Sequence, residues 1–413
     1  MKNTGGSKDN RIIVVGGGAS GLAAAITAAK SGRRVTILEA QQRVGRKLLA
    51  TGNGRCNISN TGASPQLARS DSPETVSAVM KAVPPERVMD FLEECGIPCM
   101  IEREGRIYPS SEQAASVLDM LRFRAAHLGV ETVCEARVSD IRRRGDRFVV
   151  THGGGELTAD RIIIACGSQA SPQLGGCADG YTLLKSLGHT VNKCTPALAP
   201  VLSDKTALRP LKGLRVRCRA VLLHEGKQCH AEDGEVQFNE DNLSGIAIFQ
   251  ISARLARYGC KGREISLDLL PDSTSEQVTK LLKKRREALG YLTLEDFLNA
   301  MVHKRVGLYI MGVAGCKPLS RKVGSLTDAE ISIIASLLKD WRFPVHGIAA
   351  WKQAQLASGG ASLRQFDERL QSRLVKGVFA CGEVLDCDFD CGGYNLHWAW
   401  CSGITAGRLG EKA

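Results

Sequence analysis

RIIVVGGGASGLAAAITAAKSGRRVTILE, residues 11–39, decides the fold. It reads as an apolar strand, a turn at Gly16-Gly17-Gly18-Ala19-Ser20-Gly21, an alanine-rich helix, a second strand and a terminal acid. Gly16, Gly18 and Gly21 fit G-x-G-x-x-G, and Glu39 lies 18 residues past Gly21, where a ribose-binding acid belongs. Gly16 permits the tight turn, Gly18 lets a pyrophosphate approach the backbone, and Gly21 lets the helix pack closely on the strand. The helix start, with Ala19 and Ser20, offers unpaired N–H groups and a positive dipole end to phosphate oxygens. A carboxylate at Glu39 favours a free 2′-hydroxyl over a 2′-phosphate. A glycine-rich core junction would show the glycines without strand, helix and acid all in register.

Outward from this unit, GRKLLATGNGRCNISN fills residues 45–60, followed by a Ser/Ala/Pro-rich loop to about Ser72. The pattern then predicts a helix over 85–95, a hairpin over 97–108 and a helix over 112–128. Strands are expected over 132–141, 147–152 and 161–165, the last running into Gly167, with a helix from 178 to 187. From Ala197 the character changes. Alternating segments over 214–224 and 235–238 and an apolar run over 246–251 suggest an antiparallel barrel or sandwich, and 275–339 is helical in pattern. GVFACGE, residues 377–383, reads as a returning strand that ends in Gly382 and Glu383, and Gly392-Gly393 precede a helix over 396–409. The expected organisation is an α/β dinucleotide-binding domain over 1–195 and 374–413. It is interrupted by a barrel over 196–274 and 341–373 and by a helical insert over 275–340.

The chain has 413 residues and 43% hydrophobic content, enough for two or three domains. Residues 1–10 form a polar tail expected to be mobile, and no apolar run reaches 18 residues, so a soluble, cytoplasmic protein with no membrane insertion is expected. Fifteen cysteines without an export signal suit a reducing compartment and mostly free thiols. Cys95 with Cys99, and Cys387 with Cys391, lack the partners of a metal site, so no metal is expected. The net charge is +12, yet the basic residues are scattered and aromatics make up only 5%. No nucleic-acid partner is expected; an anionic cofactor or small-molecule substrate explains part of the charge. The oligomeric state stays open.

A second glycine-rich segment and a returning C-terminal strand point to a ligand longer than NAD. FAD extends its flavin away from the pyrophosphate, and a helix N-terminus aimed at the flavin pyrimidine would stabilise the charge that develops on reduction. No second G-x-G-x-x-G follows a strand, so NADH or NADPH would visit only as a transient electron donor.

GGGASGLAAA with Glu39, GRKLLATGNGRCNISN, GRIYPSS, IACGS with ADGYTLLKSLGH, and GEVLDCDFDCGGYNLHWAW together resemble the BaiN-type flavoproteins. These are also known as aminoacetone-oxidase-like FAD enzymes, within the glutathione-reductase-like superfamily, and the resemblance covers nearly the whole chain. It implies a Rossmann-like FAD domain interrupted by a β-barrel, which would cover the flavin, and by a small helical insert. It also implies NAD(P)H-driven reduction of an activated C=C bond, as in a 3-oxo bile acid or steroid. Hydride would pass from flavin N5 to the β-carbon while an acid protonates the α-carbon. An amine or aminoketone oxidase and a flavin-binding redox sensor without turnover are the alternatives.

By motif position, Gly16, Gly18 and Gly21 should hold the pyrophosphate, Glu39 the ribose, and Arg46 and Lys47 the phosphate or its edge. Gly52, Asn53, Gly54, Arg55, Cys56 and Asn57 should border the isoalloxazine, as should Gly393, Tyr394, Asn395 and Leu396. Val138 should meet adenine through its backbone, and Gly167, Gly382 and Glu383 should flank the cofactor. The family usually carries Gln where His397 stands and often glycine where Phe389 stands. His397 is therefore a candidate catalytic group, against the plainer reading of a packed helix-start imidazole. Tyr394 is the other candidate, as a polar aromatic that could line the flavin pocket, against a buried tyrosine with a satisfied hydroxyl. Cys56 is read either as a redox thiol or as a small packing residue.

Overall fold

The computed structural model describes residues 11–410; the polar tail at 1–10 lies outside them. The chain forms two units, one of residues 1–196 with 354–413 and the other of residues 197–353.

The first unit is built on five parallel strands: β1 (Arg11–Val15), β2 (Arg34–Leu38), β3 (Glu131–Val133), β4 (Arg161–Ile164) and β5 (Val378–Ala380). Their order is β5-β4-β1-β2-β3, and Ile13 lies between Ile162 and Thr36 in the register. Covered on both faces, such strands are continuous apolar runs, which is why RIIVV and RIII do not alternate. Ile13, Val14 and Ile162 to Ile164 are fully buried.

Helix α1 (Ala19–Lys30) links β1 to β2. An ideal Cβ at Gly21 would lie 1.9 Å from the Gly16 carbonyl oxygen, so only glycine lets this helix start so close to the strand. Against α1 packs α2 (Tyr394–Gly407). At Gly403 and Gly407 an added Cβ would meet the backbone oxygens of Ser20 at 2.4 Å and Ala24 at 2.5 Å. This glycine pair, one turn apart, brings the backbones of the two helices into contact.

Most predicted elements lie close to their expected bounds: helices over Ala114–His127 and Asp179–Ser186, and strands over Val138–Arg144 and Arg147–His152. The expected strand over 132–141 is two strands separated by residues 134–137.

The second unit carries a seven-stranded antiparallel sheet. Its order is Trp341–Pro344, Arg263–Asp268, Arg215–His224, Lys227–Phe238, Asn242–Ser244, Val201–Leu202 and Gly347–Ile348. Its core includes Phe238, Trp341 and Phe343, with ring centroids 5.0 to 6.0 Å apart. Helices over Ser275–Ala288 and Asp328–Lys339 begin with Thr274/Gln277 and Thr327/Glu330 capping boxes.

The apolar run over 246–251, expected as sheet, is a correction: it opens a helix over Ile246–Tyr258. Ala247, Ile248, Ile251, Ser252 and Leu255 are buried, a helical spacing that the first six residues alone do not reveal. Residues 354–373, expected to return to the barrel, pack within the first unit instead. No helix among the described residues is long and apolar enough to cross a membrane. Among the described residues the cysteines form no disulfide.

Candidate cofactor and active site

The Gly16–Gly21 turn leaves β1 with Gly16 at φ +104° and enters α1 through Gly18. No side chain caps the helix start, and its first turn holds no acid. A Cβ at Gly18 would meet nothing within 4 Å, and the same holds at Gly167, just past β4. Both glycines thus border open space beside a set of unpaired N–H groups, including those of Ala19 and Ser20. Glu39 follows β2 and accepts from Gly17 N at 2.8 Å and Gln41 N at 2.9 Å. Those bonds fix the carboxylate beside the turn and leave lone pairs for a ribose hydroxyl.

The flanking residues are mutually engaged. Arg46 donates to Gln41 Oε1 at 2.5 Å and to the Gln173 carbonyl at 2.9 Å. Lys47 Nζ lies 2.5 Å from Glu383 Oε2, while Glu383 Oε1 accepts from Ser168 Oγ at 2.6 Å and Ala357 N at 3.0 Å. Gly382, at φ +77°, donates its N–H to Ser402 Oγ, and a Cβ there would strike Ser20 Oγ. Val138 pairs with His152 across the antiparallel strands Val138–Arg144 and Arg147–His152, just past Ala136, whose N–H donates to the Glu39 carbonyl.

The other expected cluster divides in two. Gly52, Asn53 and Gly54 form an exposed turn with positive φ throughout. Arg55 does not accompany them: its guanidinium pairs with Glu102 and Glu112 and stacks 4.2 Å over Tyr108. Cys56 is fully buried, and burial pushes its thiol up to about 12. At neutral pH it stays protonated, which favours the packing reading over a redox thiol.

Residues 57–60 grip the start of α2. The Asn57 amide, oriented so that both atoms are satisfied, donates to the Ser59 carbonyl and accepts from Gly393 N. Asn60 Nδ2 donates to the carbonyls of Gly392 at 3.0 Å and Glu104 at 3.1 Å. Trp400 Nε1 donates to the Ile58 carbonyl. Gly393, at φ +94°, has no room for a Cβ, which would sit 2.3 Å from the Ser59 oxygen. Asn395 closes the preceding loop, accepting from Phe389 N and donating to the carbonyls of Phe389 and Asp390. Leu396 is half-buried against the core.

The two candidate catalytic groups separate sharply. His397 is fully buried, with Nδ1 2.9 Å from Ser59 Oγ and Nε2 3.1 Å from Cys401 Sγ, and burial lowers its pKa to about 4. Tyr394 is partly exposed beside Gly392. Burial, then the Asp390 carboxylate, holds its hydroxyl above the ordinary tyrosine range, so it is a neutral donor at physiological pH.

Ser59, Asn60, Ser168 and Cys401 were not singled out by sequence. Ser59 and Asn60 stand inside GRCNISN, and Cys401 lies four residues past His397 on one helix face, a spacing that could have flagged it. Among the described residues no group of three or more His, Cys, Asp or Glu could hold a metal ion.

These features fit FAD. Open space fronts Gly18 and Gly167, and both α1 and α2 begin at glycines with neither a side-chain cap nor an acid in the first turn. An acid there would repel the diphosphate or the anionic reduced ring.

The family described as HI0933-like protein Rossmann domain matches residues 10–409. The chain is 34% identical to a 3-dehydro-bile acid delta(4,6)-reductase of Clostridium scindens, covering 98% of this chain and 99% of that one. It is 27% identical to a ribosomal RNA dihydrouridine synthase of Escherichia coli, over 94% of this chain and 95% of that one. A solved 3-ketosteroid-delta4-(5alpha)-dehydrogenase from Rhodococcus jostii is 17% identical with a TM-score of 0.43, covering 98% of this chain and 97% of that one. A likeness of that order carries no argument about substrate. The chain belongs to the HI0933-like Rossmann family of flavin oxidoreductases.

Proposed function

We propose that the protein is an FAD-dependent reductase of a polarised C=C bond in a hydrophobic enone such as a 3-oxo bile acid or steroid. The observation that carries the flavin part is the pair of uncapped, glycine-started helices α1 and α2, packed backbone to backbone at Gly403 and Gly407. Their two positive ends suit the diphosphate and the reduced ring of one extended ligand. When bound, FAD supplies hydride from N5 to the enone β-carbon and is recharged by NADH or NADPH.

The chain's own residues have separate tasks in this reading. Gly16, Gly18 and Gly21 seat the diphosphate, Glu39 holds the adenosine ribose, and Val138 meets adenine. Gly393 to Leu396 and the exposed Gly52, Asn53 and Gly54 border the ring, with Arg55 bracing the loop from outside and Cys56 packed beneath it. Tyr394, rather than the enclosed His397, protonates the α-carbon. We read the seven-stranded sheet as the family's inserted barrel and residues 275–340 as its helical insert.

A second reading takes uridine in ribosomal RNA as the substrate. The likeness to the Escherichia coli enzyme favours it. The uracil C5=C6 bond is conjugated to a carbonyl, so the chemistry demanded of Tyr394 is the same.

One anaerobic experiment separates the readings. The yellow holoenzyme is mixed with NADH or NADPH and then with 3-oxo-Δ4 steroids or unmodified ribosomal RNA. Flavin bleaching by the nucleotide, and reoxidation by the steroid with a product two mass units heavier, is expected. Dihydrouridine in the RNA with inert steroids moves the assignment to the second reading. Bleaching by aminoacetone but not by NADH or NADPH makes the protein an oxidase instead.

A further inference from the structure

His397 is fully enclosed, yet both its ring nitrogens are engaged, and the direction of each hydrogen bond can be derived. The Val83 carbonyl can only accept, so the Cys401 thiol, with Sγ 2.9 Å away, donates its proton there. The sulfur is then left as acceptor towards His397, so Nε2 carries the imidazole proton across the 3.1 Å contact. Nδ1 is bare and accepts from the Ser59 hydroxyl at 2.9 Å. The result is one directed chain: Ser59 to His397 to Cys401 to Val83.

This chain joins three separate segments. Val83 terminates the helix over Pro73–Ala82. His397 and Cys401 lie one turn apart on α2, and Ser59 belongs to the segment gripping Gly393. Ser59 and Gly393 are so close that the Ser59 carbonyl excludes any Cβ at Gly393. A shift of Ser59 would therefore move the Gly393 N–H at the start of α2.

We infer that His397 is a positioning residue: as the Nε2–H tautomer it clasps Ser59 to α2, setting the glycine helix start against which the flavin ring is to lie. The clause about the ring rests on the flavin reading proposed above; the clasp itself does not. Glutamine would satisfy the same geometry. Its amide oxygen can accept from Ser59 and its amide nitrogen donate to Cys401, reproducing the polarity of this tautomer and not of the other.

The test uses the full chain. In the wild type labelled with 15N-histidine, the His397 ring nitrogens should show the Nε2–H tautomer at neutral pH. A charged ring or the Nδ1–H tautomer overturns the inference. His397→Gln should bind FAD with wild-type affinity and keep the flavin midpoint potential, whereas His397→Leu should weaken FAD binding about tenfold and shift that potential. Ser59→Ala, which removes only the donor to Nδ1, should fall between them. A leucine variant indistinguishable from wild type, or a glutamine variant as impaired as leucine, also overturns it. A wild-type chain that takes up no FAD sinks the flavin reading alone, and the tautomer then decides the clasp.

Discussion

At the scale of single residues, the proposed reduction needs a proton from one of two neighbouring groups, and of these only Tyr394 is partly exposed. Tyr394→Phe deletes a partly exposed hydroxyl and should lower turnover with enone about 100-fold while leaving FAD binding intact. Stopped-flow should place that loss in flavin reoxidation, with reduction by NADH unaffected. His397 should appear instead in the pH dependence of stability. Its pKa of about 4 in the folded chain lies below the unfolded value of 6.5, so between these limits the unfolded state binds more protons. Its contribution is fully present above pH 6.5 and is lost as pH falls through about 4, at most about 3 kcal/mol. Denaturant melts of wild type and His397→Gln from pH 7 to 4 should show a shallower decline in the variant. Buried His189, lowered in the same direction by desolvation, keeps some slope. That His397 faces inward was not legible in GGYNLHWAW, because helix spacing shows which residues share a face but not which face meets the ligand.

At the scale of elements, the glycines divide into those that folding needs and those that a ligand needs. Gly18 has an ordinary φ of −76°, and a Cβ added there would have no neighbour within 4 Å. Gly18→Ala should therefore melt like wild type but bind FAD at least tenfold more weakly, as followed by flavin fluorescence. Gly21→Ala and Gly403→Ala would drive a methyl into backbone oxygens at 1.9 and 2.4 Å, and should cost about 1–3 kcal/mol or more even without FAD. Equal melting losses at Gly18 and Gly21 would remove the distinction. G-x-G-x-x-G was legible because its glycines sit in one short turn, Gly16 and Gly21 answering to close backbone contacts and Gly18 to the open space where a ligand is expected. The Gly403 and Gly407 pair was not, since their need arises from α1, at the opposite end of the chain. The helix over Ile246–Tyr258 was lost for the opposite reason: its first six residues are too uniformly apolar to reveal a period.

At the scale of the whole molecule, two apolar cores share no residue: one surrounds the parallel sheet, α1 and α2, and the other lies around Trp341, Phe238 and the helices of residues 275–339. Every residue assigned to FAD belongs to the first unit. Its strands were legible from runs such as RIII, whereas the unit boundary at residue 353 was not, because residues 354–373 contain only short elements whose partners lie elsewhere in the chain. A ligand that binds only the folded state stabilises it by RT ln(1 + [L]/Kd), about 2.7 kcal/mol at a hundredfold excess over Kd. Calorimetry of the apoprotein should thus show a transition that FAD raises and one that it leaves nearly in place. Fluorescence can assign them, because Trp398 and Trp400 sit on α2 in the first unit while Trp341 and Trp351 lie in the second. With Trp398 and Trp400 replaced by phenylalanine, the remaining emission should report the FAD-insensitive transition. An equal upward shift of both transitions would mean that the cores unfold as one cooperative body, and a shift confined to the second would place the ligand on the wrong unit.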